Sequence, residues 1–111
     1  MAPTRPAELL PGTLDLLVLR TLVRGPNHGY GIAQRVRELS RDVFQVSESS
    51  LYPALQRLTL DGYIKPEWGT SENNRRARYY TLTAAGRKQL ASEREEFERV
   101  VAAMRLVLDF A

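Results

Sequence analysis

Between Asp61-Gly62 and Thr83 the sequence changes in kind, and that change limits what the rest of the chain can build. Tyr63 to Trp68 and Ala77 to Thr83 are aromatic and β-prone, and the stretch between them is rich in Gly, Ser and Asn. Two such runs around a polar turn predict a β-hairpin with a long tip. The segments on either side carry helical spacing instead.

Upstream, Leu14, Leu17, Val18 and Leu22 make one apolar face of a first helix. Pro11-Gly12-Thr13 opens it, with Thr13 as the expected N-cap and Asp15 in the first turn. Gly25-Pro26 stops it. Asn27 to Gly31 reads as a short loop, followed by a second helix with Ile32, Val36 and Leu39 as its apolar stripe. Ser47 is the expected N-cap of a third helix that runs to about Asp61, where Gly62 supplies the left-handed stop. Pro53 falls inside this helix, where a proline costs about 3 kcal/mol. The cost shrinks if regular hydrogen bonding begins nearer Ser49, so the start stays open at this level.

After the hairpin, Thr83 caps a fourth helix from Ala84 to about Asp109, roughly 40 Å long. The order α-α-α-β-β-α is that of a winged helix-turn-helix, a mainly α fold with a small β-hairpin and a long C-terminal helix. Residues 1–8, with two prolines and no periodic pattern, read as a flexible N-terminal arm. Residues 9–83 read as the winged helix-turn-helix domain and 84–111 as a C-terminal dimerisation helix.

Composition removes whole classes of function. At 111 residues, 43% hydrophobic and 26% charged, the chain is expected to form one soluble domain. It contains no cysteine and only one histidine, His28. That excludes disulfide frameworks, thiolate zinc sites, thiol catalysis and His-based metal clusters. No run approaches the ~20 apolar residues of a membrane span, so a cytoplasmic protein without a membrane partner is expected. Lys and Arg outnumber Asp and Glu by 16 to 13, a net charge of +3. The excess lies entirely in residues 1–83, with 11 basic against 8 acidic, whereas residues 84–111 balance at 5 and 5. Arg75, Arg76 and Arg78 are its densest cluster and sit at the hairpin tip.

On a helical wheel, Leu51, Leu55 and Leu58 of the third helix form one face, and Ser49, Pro53 and Gln56 fall opposite, with Leu60 continuing the line. Tyr52 flanks that stripe on one side, Ser50 and Arg57 on the other. A recognition helix needs this pattern: short polar groups that approach base edges, and longer donors beside them that reach phosphates. Gln56 can pair bidentately with adenine, Ser49 and Ser50 can bond several bases, and Pro53 can touch a thymine methyl. Tyr52 and Arg57 can reach phosphates. A hairpin following such a helix lays Arg75, Arg76 and Arg78 on the DNA backbone or in a minor groove. An ordinary solvated helix face is the plainer reading of Ser49 and Gln56; the exposed Tyr52 and the tolerated Pro53 weigh against it.

On the fourth helix Leu90, Phe97, Val100, Val101, Met104, Val107 and Leu108 make a sustained amphipathic stripe. Beyond Phe97 a chain this short has no core left to cover it. A symmetric dimer is expected, with this stripe packed on the same helix, or the first helix, of a second copy. Glu93, Glu95, Glu96 and Glu98 read as a solvated face and not as metal ligands.

Three blocks then carry a resemblance. Gly29-Tyr30-Gly31-Ile32-Ala33-Gln34, Ser50-Leu51-Tyr52-Pro53-Ala54-Leu55 and Tyr79-Tyr80-Thr81-Leu82-Thr83-Ala84-Ala85-Gly86 resemble the signatures of PadR-type transcriptional regulators. Glu67 to Ala77 is similar to a short PadR-like subgroup common in acidobacteria. The resemblance implies a homodimeric winged-helix protein, usually a repressor, docked on a palindromic double-stranded DNA operator. It implies DNA contacts at Tyr52 and Pro53, a backbone contact at Tyr30, and dimerisation through the last helix. It also implies a small aromatic effector in some members, with Phe97 here standing where relatives often carry Trp. No cofactor is implied. The alternative is a protein-interaction module that uses the winged-helix fold as a scaffold. An enzyme is not expected, because His28 has no evident nucleophile or carboxylate partner.

Overall fold

The computed structural model describes residues 12–111, so the proposed arm at 1–8 and the first residues of the 9–83 unit lie outside the described residues. The chain runs α1 (Thr13–Thr21), a short 3-10 turn (Leu22–Arg24), β1 (Asn27–His28), α2 (Gly29–Leu39), α3 (Glu48–Leu60), β2 (Ile64–Thr70), β3 (Arg76–Leu82) and α4 (Ala84–Leu108). Three helices, a wing and a long final helix make it a mainly helical winged helix-turn-helix.

The helix starts differ from expectation in two places. Gly12, not Thr13, occupies the N-cap of α1, at a φ of 86° that only glycine adopts without strain. Thr13 thereby becomes the first helical residue, and among the described residues no side chain caps the helix. The segment Asn27–Gly31 is not a loop. Asn27 and His28 pair with Tyr80 and Tyr79 of β3, and α2 begins immediately afterwards at Gly29. The wing is therefore the larger part of a three-stranded antiparallel sheet in the order β1-β3-β2.

His28 caps α2, its Nδ1 accepting the Gly31 N–H at 3.1 Å. Asn27 closes the same corner by accepting the His28 N–H at 2.9 Å. A Cβ on Gly31 would overlap that Asn27 amide.

The third helix begins at Glu48, with the Leu51 N–H bonded to the Ser47 carbonyl at 2.9 Å. Pro53 is thus its sixth residue, beyond the first turn, so the hydrogen-bond loss is not avoided there. Four buried residues, Leu51, Ala54, Leu55 and Leu58, hold the helix in place regardless. It ends in a Schellman motif: the Gly62 N–H reaches the Thr59 carbonyl and the Tyr63 N–H the Leu58 carbonyl, with Gly62 at φ 78°.

The core gathers Leu14, Val18, Leu19 and Leu22 with Ile32, the α3 leucines, and Ile64, Tyr80 and Leu82 of the wing. Leu39, expected on the apolar stripe of α2, is exposed instead, because α2 ends there and no element among the described residues covers its last turn.

Thr83 caps α4 as expected, accepting the Gly86 N–H at 3.0 Å while donating to the Gly62 carbonyl at 2.7 Å. The helix leaves the domain quickly. Leu90, expected at a dimer interface, is half-buried against the core of its own chain. Glu93, expected in solvent, is also partly covered, and its Oε2 has no hydrogen-bond partner among the described residues. Arg94 with Glu98 and Arg99 with Glu96 do form the solvated face. The hydrogen-bonded Arg99 holds the Glu96 carboxyl below its ordinary range.

Candidate nucleic-acid interface

The face of α3 opposite the core carries Ser49, Ser50, Tyr52, Pro53, Gln56 and Leu60, all exposed. Ser47 caps no backbone N–H. Its hydroxyl lies 3.0 Å from that of Ser49 and 3.2 Å from that of Ser50. Three hydroxyls are thus clustered at the positive end of the helix dipole.

Arg57 is held differently from its neighbours. Its Nη2 donates to Asp15 Oδ1 at 2.9 Å, tying α3 to the first turn of α1. The remaining guanidinium donors stay exposed.

Tyr30 comes to the same region from α2. It is the second residue of that helix, 73% exposed, and its ring stacks beside His28 at 6.5 Å. Tyr52, 52% exposed, lies over Gly29, where a Cβ would stand 3.5 Å from its ring. Both tyrosines border one open cleft of about 710 Å³ between α2 and α3, together with Ser47, Glu48, Gln34 and Val46. Residues 22 positions apart in the chain are therefore brought to a common surface. Tyr79 extends it toward the wing: its ring meets His28 edge-on at 5.3 Å and its hydroxyl donates to the Thr70 carbonyl at 3.0 Å.

The wing divides its arginines. Strand pairing sets Trp68 opposite Arg78 and Thr70 opposite Arg76, so these side chains share one face of the hairpin. Arg75 belongs to the turn, where its N–H and carbonyl close on Ser71. The Arg76 guanidinium carbon lies 4.4 Å from the centroid of the Trp68 ring, and that of Arg78 lies 5.9 Å from Tyr80. Among the described residues none of the three arginines enters an ion pair. Sequence reasoning passed over Trp68 and Tyr79. The signal for Trp68 depends on the register, which sets it opposite Arg78 and on the face shared with Arg76.

At the far end, Phe97, Val100, Met104, Val107 and Leu108 are exposed and Val101 partly so. Leu106 and Phe110, which the periodic reading left out, are exposed as well. Phe97, Val101, Ala102 and Arg105 border a shallow depression on this helix. Among the described residues no helix is long and apolar enough to cross a membrane, and no group of His, Cys, Asp or Glu is placed to hold a metal ion.

The profile of the transcriptional regulator PadR-like family matches residues 18–92. A transcriptional regulator of Mycobacterium tuberculosis is 38% identical over 93 residues, covering 84% of this chain and 83% of that one. Among solved structures, a transcriptional regulator from Clostridium thermocellum superposes with a TM-score of 0.78 at 32% identity, over 85% of this chain and 91% of its own. A PadR family transcription regulator from Clostridium difficile gives 0.75 at 31% identity, over 87% and 99%.

Proposed function

This chain belongs to the PadR-like family of transcriptional regulators, and from that premise we propose that it is a dimeric repressor reading a palindromic operator through α3 and the wing. Regulation through DNA binding follows from the family. The dimer, the repressor sense, the palindrome and the assignment of individual residues are the proposal.

The observation that carries it is the exposed face of α3. Ser49, Ser50, Pro53 and Gln56 stand opposite four buried residues, and Tyr30 of α2 borders the same cleft as Tyr52. In this reading Ser49, Ser50, Pro53 and Gln56 meet base edges in the major groove. Tyr30, Tyr52 and the free donors of Arg57 contact phosphates, and Arg75, Arg76 and Arg78 extend the footprint to the flanking backbone or minor groove.

Specificity of this kind doubles by symmetry. The exposed stripe of Phe97, Val100, Val101, Met104, Val107 and Leu108 packs on a second copy, which places two α3 helices on successive half-sites. Residues 9–83 then serve as the DNA-binding unit and 84–111 as the dimerising one. A small aromatic effector stacking on Phe97 at that seam would shift the spacing between the two recognition helices and release the operator.

Selection of binding sites from randomised duplex DNA tests the proposal, followed by affinity measurements on the selected and a scrambled site at two salt concentrations. A two-fold symmetric site with a steep salt dependence is expected. Enrichment of an asymmetric site, or of none, overturns the reading.

A further inference from the structure

The wing face that carries Trp68 grades from core to tip. Ile64 and Leu82 are buried at its base, Tyr80 is buried above them, and Trp68, Arg78 and Arg76 stand at the outer end. Trp68 is 59% exposed. A tryptophan in a small core would ordinarily bury its ring, and this one instead offers its face to a guanidinium at 4.4 Å. No carboxylate neutralises Arg76 among the described residues.

We propose that Trp68 is a positioning residue for DNA binding: its indole holds the Arg76 guanidinium flat on the wing, so that the N–H edge faces the phosphate backbone. The inference rests on the DNA-binding reading and deepens it.

Stacking uses the face of the guanidinium and leaves its five N–H donors free in the plane of the group. An arginine so held has already lost most of the rotamer freedom that binding would otherwise remove. Trp68 thus contributes to affinity while adding no charge of its own. Arg78, opposite Trp68 in the strand register and 5.9 Å from the Tyr80 ring, flanks the same platform.

That separation of affinity from charge supplies the test. A mixed-sequence duplex of roughly 30 base pairs is the probe, with affinity measured across a salt series for the parent chain, Trp68→Leu, Trp68→Phe, Arg76→Ala and the double variant Trp68→Leu/Arg76→Ala. Trp68→Leu is expected to weaken binding about threefold to fivefold while keeping the salt slope of the parent. Arg76→Ala flattens the slope by about one unit. The double variant loses no more than Arg76→Ala alone, and Trp68→Phe recovers most of the loss because it keeps an aromatic face.

Trp68 is the chain's single tryptophan, so its emission reads the stack directly in the free protein. Arg76→Ala is expected to change that emission.

Additive losses in the double variant, Trp68→Phe behaving as Trp68→Leu, or emission indifferent to Arg76 overturns the inference alone. A flattened slope in Trp68→Leu also overturns it, since that outcome marks a wing that has come apart and lost several phosphate contacts together. A parent chain with no salt-dependent duplex binding overturns the proposed function and this inference with it.

Discussion

Gly86→Ala should destabilise this protein, although helix propensity alone says the reverse. Gly86 is the third residue of α4 and fully helical, a position where alanine is favoured over glycine by up to about 1 kcal/mol. An added Cβ, however, would overlap the Tyr63 carbonyl oxygen, with the Tyr63 carbonyl carbon 3.0 Å and Leu82 Cδ1 2.7 Å away. Ordinary carbon–carbon contact lies near 3.5 Å, so about 0.8 Å must be relieved at Leu82. More must be relieved at the carbonyl, which is backbone and cannot rotate aside.

That carbonyl is already in use. It accepts the Thr83 N–H at 3.1 Å, and Thr83 in turn caps α4 and donates to the Gly62 carbonyl. Moving α4 outward to admit the methyl strains all three bonds at the junction of the wing and the last helix. Overpacking of this kind costs about 1–3 kcal/mol and a lost hydrogen bond about 1 kcal/mol. Less the propensity gain, the net is a destabilisation of about 2 kcal/mol. With a urea m-value of about 1.5 kcal/mol/M, the midpoint falls by roughly 1 M. The measurement is urea unfolding at one fixed protein concentration, because the stability of the proposed dimer would depend on concentration. Ala85→Gly is the companion variant: its side chain is exposed in the same turn, and propensity alone governs it. Gly86→Ala equal to or more stable than the parent would refute the argument, showing that the approach of α4 to Tyr63 is looser than the geometry states.

Four further outcomes are expected. Gln56→Ala should relax preference at one base pair per half-site, at about 1–3 kcal/mol of discrimination, read by repeating the randomised-site selection; an unchanged preference removes Gln56 from the reading face. Arg75→Ala/Arg76→Ala should weaken binding to all duplexes alike and flatten the salt slope by at most about two units, whereas identical slopes would put the wing off the DNA. His28→Ala should cost about 1 kcal/mol by uncapping α2, measured by urea unfolding, with His28→Asn retaining most of the stability because its side-chain oxygen can accept the same N–H. Val101→Asp should shift the sedimentation profile from dimer to monomer and weaken operator binding, and a profile unmoved at micromolar concentration would place the dimer seam elsewhere.

Much of this arrangement is legible in the sequence because it follows from periodicity. Leu51, Leu55 and Leu58 could only be core once the helix was placed, and the opposite face then followed by rotation. Gly62 announced a left-handed stop, and Thr83 announced a cap; both act through geometry confined to a few neighbouring residues. What was hidden is non-local. Asn27 and His28 are two residues with no strand pattern of their own, and they become β1 only because Tyr79 and Tyr80 present an unpaired edge some fifty positions later. Leu90 and Phe97 sit on one apolar stripe of one helix. Intramolecular packing reaches Leu90 and leaves Phe97 exposed, a boundary set by the rest of the fold that the stripe itself does not encode. Arg57 was legible as a basic residue flanking the exposed stripe of α3, but its tether to Asp15, 42 positions away at 2.9 Å, was not.

The same distinction bears on how the interface works. The groups proposed to contact phosphates are held by contacts across elements: Arg57 by α1, Tyr30 through His28 by β1 and β3, and Tyr52 over Gly29 by the start of α2. β1 joins the N-terminus of α2 to β3 directly, and the hydrogen bonds of Gly62 and Tyr63 tie the end of α3 to the start of β2, so both helices are anchored to the wing. Whatever displaces α4 at Gly86 reaches the wing through Tyr63 and Thr83, which connect the end of α3, the start of β2 and the start of α4.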